Sequence, residues 1–261
     1  GEPGNQNFLK PEFWKPVIEE VGGTVTECNT AYEGGRNTTE KHLETLKKHG
    51  WSQYFDVDLL DAEGPDMELA IPGGKMIKKN FDTPVSIDSY KSEVVEAALK
   101  AGADLVNDIW GLKYDRKVAD LIAQYKVPCC LMHNRNEAIY QNFLEDMVAD
   151  MKECVAIAHK AGVPDDKIML DPGVGFGKTY EQNLEAINHV DVLQELGLPI
   201  LLGTSRKSVI GNTLDLPVDQ RVEGTLATTV IGMLRGCSFV RVHDIKENHR
   251  IIQMTKAILS C

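Results

Sequence analysis

The chain has 261 residues, of which 43% are hydrophobic, and its formal net charge is -11 at pH 7. This length suits one large α/β domain or two small ones, and the hydrophobic content is enough for a substantial core. The acidic balance excludes nucleic acid and anionic membrane surfaces as general partners, because binding to either needs clustered Lys and Arg. No apolar run approaches the ~20 residues that are needed to span a bilayer.

The first part of the chain predicts two strands, at residues 23–28 and 54–58. A helix at 11–21 precedes them, and a second helix at 38–49 connects them. Residues 66–79 predict only a weak helix, because Pro and Gly interrupt the pattern.

From residue 83 onward, strand and helix patterns alternate regularly. Short apolar runs predict strands at 84–87, 104–106, 127–132, 168–170, 199–202 and 239–240. Apolar residues at three- and four-residue spacing predict helices at 92–100, 116–125, 142–161, 180–196, 221–234 and 248–259. With the earlier pair of strands this makes eight strand–helix units. That number predicts an α/β fold, a (β/α)8 TIM barrel, as a single domain over residues 1–261.

The cysteines indicate the redox environment. None of the six lies in a Cys-x-x-Cys pair, and no set of them has the spacing of a metal site. We therefore expect reduced thiols and a cytoplasmic protein.

Most of the predicted strands end in a polar residue that can carry chemistry. In a barrel of this kind the active site lies at the carboxyl ends of the strands. Read in chain order, those ends carry Asp58, Asp88, Asn107, His133, Asp171, Lys207, Arg241 and His243.

This set divides by charge into two groups. Asp88, Asn107 and Asp171 suit the edge of a flat heterocycle that carries several N–H donors, since charged acceptors make strong hydrogen bonds to such groups. Lys207, Arg241 and His243 are donors and potential cations, and they suit a phosphate or diphosphate. Met132 and Phe176 can enclose an aromatic ring between them.

Each motif also has a plainer interpretation. Asp88 can cap the following helix, Asn107 and Asp108 can be turn residues, and the glycines of residues 173–177 can serve only a tight turn. Arg241 and His243 can be a surface pair. His133 fits the wall of a site, or a structural role, better than the role of a base.

Taken together, the segments from residue 78 to the end resemble dihydropteroate synthase, a pterin-binding barrel enzyme. The matching segments are Ser-Ile-Asp-Ser-Tyr-Lys at 86–91, Val-Asn-Asp-Ile at 106–109, Leu-Met-His at 131–133, Asp-Pro-Gly-Val-Gly-Phe-Gly-Lys at 171–178, Ser-Arg-Lys-Ser-Val-Ile-Gly at 205–211 and Arg-Val-His-Asp at 241–244.

The resemblance implies roles for individual residues. The pterin edge would be held by Asp88, Asn107, Asp171 and Lys207. The pterin slot would be shaped by Met132, Phe176 and Gly203. The diphosphate would be bound by Arg241 and His243, with Lys207 the third catalytic residue. Lys207 and Ser208 would lie near the carboxylate of p-aminobenzoate.

The resemblance also implies a reaction and its partners. Diphosphate on a pterin methyl carbon, in 6-hydroxymethyl-7,8-dihydropterin diphosphate, is replaced by the amine of p-aminobenzoate in folate biosynthesis. Mg²⁺ is the expected cofactor, a homodimer is the common assembly, and no nucleic acid or membrane takes part. A catalytically inactive pterin-binding protein and a pterin-dependent methyltransferase are the alternatives.

Residues 1–77 depart from the family pattern. The loop after the first strand normally carries Asn-x-Thr-x-Asp-Ser-Phe and helps to bind Mg²⁺, but here the segment 27–36 differs, and Asn29 is the expected metal ligand. An acidic stretch at 58–65 stands where the second loop carries Ser-Thr-Arg-Pro. Segments at 1–5, 27–32 and 56–58 instead resemble an uncharacterised family associated with iron–sulfur proteins, without its cysteine clusters. We therefore expect a chimera joined near residues 78–80, in which the foreign segment completes the barrel.

Overall fold

The computed structural model describes Val25–Asn29 and Val57–Asp61 as backbone strands, and residues 84–261 with their side chains. The chain divides into two compact units, Gly1–Thr83 with Lys100–Gly102 and Pro84–Leu99 with Ala103–Cys261. The helices predicted at 11–21, 38–49 and 66–79 lie outside the described residues.

The first unit contains strands β1 (Val25–Asn29) and β2 (Val57–Asp61), which pair in parallel. Asn29 and Asp61 are register partners at the carboxyl ends of the two strands. The prediction for β2 was three residues too early, because the ladder with β1 begins only at residue 57. Asp58 is therefore the second residue of the strand and does not end it, as the sequence pattern had predicted.

The second unit contains six further strands, all paired in parallel: β3 (Ser86–Asp88), β4 (Leu105–Asp108), β5 (Cys129–Met132), β6 (Ile168–Asp171), β7 (Leu201–Leu202) and β8 (Phe239–Val240). Strands β3 to β6 are neighbours in chain order, and β7 pairs with β8. A single bridge between Leu170 and Ile200 links β6 to the segment that enters β7. The strand order thus follows the chain order, as repeated strand–helix units require.

Seven α-helices lie in the part of the chain from residue 84 onward: α1 (Ser92–Lys100), α2 (Lys117–Tyr125), α3 (Phe143–Ala161), α4 (Tyr180–Asn188), α5 (Ser208–Leu214), α6 (Val222–Leu234) and α7 (Ile245–Leu259). Short 3-10 helices occur at Asp165–Lys167, Val190–Leu196 and Val218–Gln220. None of these described helices has the length and apolarity needed to cross a membrane.

Most predicted helices are confirmed, with three differences. The helix predicted at 180–196 is divided at His189 into α4 and the 3-10 helix Val190–Leu196. Helix α7 begins three residues earlier than predicted, at Ile245. The sequence pattern did not predict α5, which follows Lys207 directly.

The core lies between the sheet and the helices that cover it. All four residues of β5 are buried, as expected for a parallel strand covered on both faces. Helix α3 buries Met147, Met151, Cys154 and Ala158, a stripe with helical spacing that packs into the same cluster. This packing fixes the sheet, so the strand ends form a rigid edge on which side chains can be placed.

The thiols of this part of the chain are free. Among the described residues, Cys129, Cys130, Cys154, Cys237 and Cys261 are free thiols. Burial raises the pKa of Cys129 to about 12. A thiol that is protonated and buried in this way is a packing group and not a nucleophile.

Candidate active site

Polar residues end adjacent strands at the carboxyl edge of the sheet. Asp88, the last residue of β3, is the register partner of Asn107 on β4. Met132, which ends β5, is in the same way the partner of Asp171, which ends β6. Because parallel strands end at the same edge, four residues predicted for the site are brought to one edge of the sheet.

Asp171 is almost fully enclosed at this edge, with 1% of its surface exposed. Its Oδ1 atom accepts a hydrogen bond from the backbone N–H of Gly173 at 2.7 Å. Its Oδ2 atom is buried and has no partner among the described residues. Burial raises the pKa of Asp171, and the nearby Lys207 acts in the opposite direction. Asp171 Oδ2 is thus available to accept a hydrogen bond from a donor on a ligand.

Asn107 presents a second unpaired group. Its side chain is 5% exposed, and its Nδ2 atom is buried without a partner among the described residues. The sequence also allowed Asn107 and Asp108 to be turn residues. Asp108 is the one that holds the turn, since it accepts from the backbone N–H groups of Trp110 at 2.7 Å and Leu112 at 3.1 Å. Asn107 is therefore free to serve as a donor to a ligand.

Gly203, just after β7, lies between two charged groups. A Cβ atom at this position would be 3.4 Å from Asp171 Oδ2 and 3.5 Å from Arg241 Nε. These are ordinary contact distances, so the neighbours tolerate a small side chain here. The distances show instead that Asp171 Oδ2 and the Arg241 guanidinium both lie beside Gly203.

Lys207 lies against the glycine-rich loop formed by residues 173–177. Its Nζ atom donates to the carbonyl oxygen of Val174 and lies 4.8 Å from the centroid of the Phe176 ring. Burial lowers the pKa of Lys207 to about 8, although Asp171 opposes the shift. The predicted neighbourhood of Lys207, Phe176 and Asp171 is thus present.

The turn before Lys207 is held by the first part of α6 and the residue that precedes this helix. Arg206 has a φ of 57°, a left-handed conformation that a non-glycine residue rarely adopts. Its backbone N–H donates to Thr225 Oγ1 at 3.1 Å, and its carbonyl oxygen accepts from Arg221 Nη1 at 3.0 Å. These contacts offset the strain and fix the direction in which Lys207 leaves the turn.

Arg241 and His243 follow β8 but have different partners. Arg241 Nη1 lies 3.2 Å from the Asp88 carboxylate, and both side chains are about half exposed. Asp88 therefore pairs with Arg241 and does not cap α1, whose first backbone N–H, at Ser92, donates to Asp115. An exposed pair of this kind is weak, so both groups can exchange it for a ligand.

His243 is oriented by Ser205. The backbone N–H of His243 donates to Ser205 Oγ at 3.1 Å, so the hydroxyl hydrogen can point to Nδ1 of the same histidine at 2.9 Å. Burial lowers the pKa of His243, and Arg206 adds to the effect. A neutral ring that accepts at Nδ1 carries its proton on Nε2, which leaves an N–H donor for a ligand. Arg241 and His243 are both exposed, as the surface-pair interpretation expected, but their polar partners differ, Asp88 for Arg241 and Ser205 for His243.

Two predicted residues are less well connected. Ser208 is exposed at the first position of α5, and no contact joins it to the other site residues. Asn29 ends β1, but its side chain is not described. The loops at 30–36 and 62–65 lie outside the described residues.

The sequence did not predict a series of hydrogen-bonded polar side chains that lies next to the glycine-rich loop. His133 is fully buried, with Nε2 at 3.0 Å from Asp150 Oδ2 and Nδ1 at 2.8 Å from Lys178 Nζ. Arg135 Nε donates to the same Asp150 oxygen at 2.6 Å. His133 is therefore structural, as one of the two interpretations held. The only signal in the sequence was Lys178 itself, at the end of the glycine motif.

Because His133 is buried, we expect the protein to lose stability in mild acid. Burial lowers the pKa of His133 to about 4, so the unfolded chain binds the proton more tightly than the folded chain. The free energy of unfolding is then highest above pH ~6.5 and falls, by on the order of 3 kcal/mol, as the pH approaches about 4. Urea unfolding of His133→Gln across this range should show a flatter pH dependence.

His249→Gln is the matched control, because His249 is exposed on α7. It should keep the pH dependence of the unmodified chain. An unchanged slope in His133→Gln would contradict the assignment of His133 as the titrating group.

Comparison with known proteins identifies the family. Residues 59–243 match the family described as "Pterin binding enzyme". A dihydropteroate synthase of Clostridium beijerinckii is 57% identical over 239 residues, which cover 91% of this chain and 88% of that protein.

Solved structures agree with this match. The crystal structure of dihydropteroate synthase from Clostridium difficile in the presence of pteroic acid has a TM-score of 0.73 and 38% identity, over 90% of this chain and 96% of that one. Dihydropteroate synthase from Xanthomonas albilineans in complex with 7,8-dihydropteroate has a TM-score of 0.72 and 28% identity, over 91% of this chain and 94% of that one. The fold of these enzymes is the TIM barrel, so the predicted (β/α)8 class is confirmed. The chain belongs to the dihydropteroate synthase family of pterin-binding enzymes.

Proposed function

We propose that this transferase joins 6-hydroxymethyl-7,8-dihydropterin diphosphate to p-aminobenzoate, with release of diphosphate, in folate biosynthesis. One observation carries the proposal. A buried acceptor, Asp171 Oδ2, and a buried donor, Asn107 Nδ2, both lack partners among the described residues, at a sheet edge that also carries Lys207 and Arg241. Unpaired buried polar groups are costly, and a pterin edge supplies both a donor and an acceptor.

The pterin ring is held by its polar edge and its faces. In the proposed complex its N–H groups donate to the Asp171 carboxylate, and one of its acceptors takes the N–H of Asn107. Met132 and Phe176 flank the slot, and Gly203 leaves room for the ring above the sheet. The pteroic acid and 7,8-dihydropteroate in the related structures support a pterin in this family's site.

The chemical step then needs electrostatic help and no strong base. The bond between the pterin methylene carbon and the diphosphate oxygen breaks, and its electron pair leaves with the diphosphate. Lys207, Arg241 and the Nε2–H of His243 stabilise the negative charge that grows on that oxygen. Lys207 and His243 are already oriented by Val174 and Ser205, so these two donors need little reorganisation. Arg241 exchanges its exposed pair with Asp88 for the diphosphate.

The arylamine completes the reaction. Its nitrogen lone pair forms the new bond to the methylene carbon, and the nitrogen then loses one proton to solvent. Lys207 and Ser208 are proposed to hold the carboxylate of p-aminobenzoate at the mouth. Ser208 is exposed, which is consistent with contact to the second substrate and not to the buried pterin edge.

Mg²⁺ remains a proposal, with Asn29 as its ligand. No cluster of His, Cys, Asp or Glu that could hold a metal occurs among the side chains that the structure describes. Asn29 and Asp61 end two paired strands as register partners, and amide and carboxylate oxygens are ligand types that Mg²⁺ takes. When bound, Mg²⁺ would supply further positive charge for the leaving diphosphate.

A diphosphate-release assay tests the proposal and separates it from its rivals. The chain, the pterin diphosphate, p-aminobenzoate and Mg²⁺ should release diphosphate only when the arylamine is present. Calorimetric binding of the pterin without any release would support an inactive binding protein. The relatives do not favour that alternative or a methyltransferase, since both are absent from the matches above.

The pH dependence of turnover follows from Lys207. Burial lowers the pKa of this lysine to about 8, so its ammonium form is present below that pH and is lost above it. We expect kcat/KM for the pterin diphosphate to fall as the pH rises through about 8. Lys207→Arg, which keeps its charge, should lack this decline, whereas a decline that persists in Lys207→Arg would exclude Lys207 as its source.

The remaining expectations stay predictions. These are a homodimer, a cytoplasmic location, a single domain and the foreign origin of residues 1–77. The match to the Clostridium beijerinckii enzyme covers 91% of the chain, more than residues 78–261 alone supply, and the family match begins at residue 59. Both facts weigh against a junction near residues 78–80.

A further inference from the structure

Lys178 ends the glycine-rich loop and turns back into it. Its Nζ atom is 2.9 Å from the carbonyl oxygen of Gly173, 3.0 Å from that of Phe176 and 2.8 Å from His133 Nδ1. An ammonium group has three hydrogens, and here each has an acceptor. Burial lowers the pKa of Lys178 to about 7. A lysine fully occupied by its own protein is not available to a substrate, so its role must lie in what it holds.

The loop that Lys178 holds has little conformational restraint of its own. Gly173, Gly175 and Gly177 have φ values of 67°, 89° and 53°, all in the left-handed region. A Cβ atom at Gly173 would come within 1.9 Å of the His133 carbonyl oxygen, so the loop lies directly against the chain that leaves β5. Glycines permit this path but do not select it, because they lose the most conformational freedom on folding. Three side chains each hold one point of the loop: Asp171 accepts from the N–H of Gly173, Asn183 accepts from the N–H of Gly175, and Tyr140 donates to the carbonyl of Gly177. Lys178 adds a contact that joins two carbonyls of the loop, those of Gly173 and Phe176, to His133.

The same loop forms the surface on which Lys207 lies. Val174 provides the carbonyl that accepts from Lys207 Nζ, and Phe176 provides the ring beneath it. A Cβ atom at Gly175 would be 3.2 Å from Lys207 Cδ. The charges of Asp171, Arg241 and Asp88 also act on Lys207, and Lys178 and Lys207 are close enough to repel each other. A shift of the loop would therefore move or hydrate Lys207.

His133, a hydrogen-bond partner of Lys178, is itself held in place by Asp150. Asp150 accepts from His133 Nε2–H, so the histidine keeps Nδ1 free of a proton and able to accept from Lys178. Hydrogen bonds from His133 and Arg135 lower the pKa of Asp150, although burial acts to raise it, so this carboxylate stays charged. Arg135, Asp150, His133 and Lys178 thus form an unbroken series of hydrogen bonds.

We propose that Lys178 is a positioning residue for the reaction, which clamps the glycine-rich loop of residues 173–177 and so places Lys207 and the pterin slot. The proposal rests on the proposed function, since it concerns the same site. Lys178 touches neither substrate in this account. It acts through Gly173 and Phe176 on the loop, and through the loop on Lys207.

The test compares Lys178→Met with the unmodified chain. Calorimetry with pteroic acid should show binding about tenfold weaker, because part of the binding energy is then spent on ordering a loop that Lys178 no longer holds. The decline of kcat/KM at high pH should move upward by about half a pH unit or more, because Lys207 becomes hydrated and also loses the repulsion of the Lys178 ammonium. Lys160→Met, on the exposed face of α3, is the matched control and should change neither quantity.

The pH readout separates positioning from a plain structural role. A variant that is only less stable has less active protein, but its active molecules keep the pH profile of the unmodified chain. Unchanged pteroic acid affinity and an unchanged pH profile in folded Lys178→Met would overturn the proposal. Asp150→Asn keeps Lys178 and therefore tests the clamp without removing that lysine, because loss of the carboxylate frees the histidine to protonate Nδ1. It should shift both quantities in the same directions, and a profile identical to that of the unmodified chain would overturn the proposal.

The same experiments distinguish an error in the proposed function from an error in the role of Lys178. If the unmodified chain binds no pteroic acid and releases no diphosphate, the function itself is wrong. If the unmodified chain is active and both variants match it, only the role of Lys178 is wrong.

Discussion

Replacement of Asp171 by asparagine is expected to weaken pterin binding by on the order of 100-fold. The carboxylate would receive N–H donors from the pterin, and hydrogen bonds to a charged group are worth about 1.5–3 kcal/mol each. Asparagine keeps the size of the side chain and can still accept from the backbone N–H of Gly173 through Oδ1. The atom that replaces Oδ2 is then an amide nitrogen, a donor that faces the donors of the ligand. Calorimetry with pteroic acid measures the change.

The fold should survive this substitution, so the loss is one of recognition. Asp166→Asn is the matched control, because Asp166 is exposed in the 3-10 helix before β6. It should bind pteroic acid as the unmodified chain does. Affinity in Asp171→Asn within about threefold of the unmodified chain would remove Asp171 from the pterin edge.

Replacement of Lys207 by methionine is expected to lower kcat by about 100- to 1,000-fold. Loss of one preorganised donor to a developing negative charge has an effect of this size in other enzymes. Methionine fills much of the lysine's volume, so contact with the Phe176 ring is retained while the ammonium group is lost. Steady-state rates of diphosphate release measure the change.

A second variant of Lys207 and a lower limit on the loss of rate complete this test. Lys207→Arg should recover part of the rate, because a guanidinium also donates to phosphate oxygens, although its planar fork does not match the geometry of the ammonium. A reduction of kcat by less than about tenfold in Lys207→Met would mean that Arg241 and His243 stabilise the leaving group without it.

The strand ends were predictable because the pattern that marks them is local. A short apolar run followed by Asp, Asn or Lys needs no knowledge of the rest of the chain. The parallel arrangement then brings residues distant in sequence together, as for Asp88 and Asn107. Helix α1 was predicted with its bounds, since its apolar spacing is regular and it begins at Ser92.

The unpredicted parts depend on contacts between distant residues. Helix α5 has the sequence Ser-Val-Ile-Gly-Asn-Thr-Leu, in which β-branched residues and glycine give a weak helix signal. Val209 and Ile210 are buried in the core cluster, and this packing makes the segment helical. The bond between Lys178 and His133 joins residues 45 positions apart, and the pair of Asp88 and Arg241 spans 153. No local pattern carries such pairings.

The same reasoning explains why His133 was ambiguous. A histidine at a strand end can be a base, a wall or a structural group, and its neighbours decide which. Asp150 and Lys178 occupy both ring nitrogens, and burial keeps the ring neutral. Those neighbours come from a helix and a loop that the sequence pattern located, but no local pattern shows that they meet at His133.

The most direct test of the account is a crystal structure of the chain with 6-hydroxymethyl-7,8-dihydropterin diphosphate and Mg²⁺. The account predicts the pterin edge within hydrogen-bonding distance of Asp171 Oδ2 and Asn107 Nδ2, the two atoms that now lack partners. It also predicts the diphosphate against Lys207, Arg241 and His243. A pterin bound elsewhere, with Asp171 Oδ2 still unpaired, would contradict it.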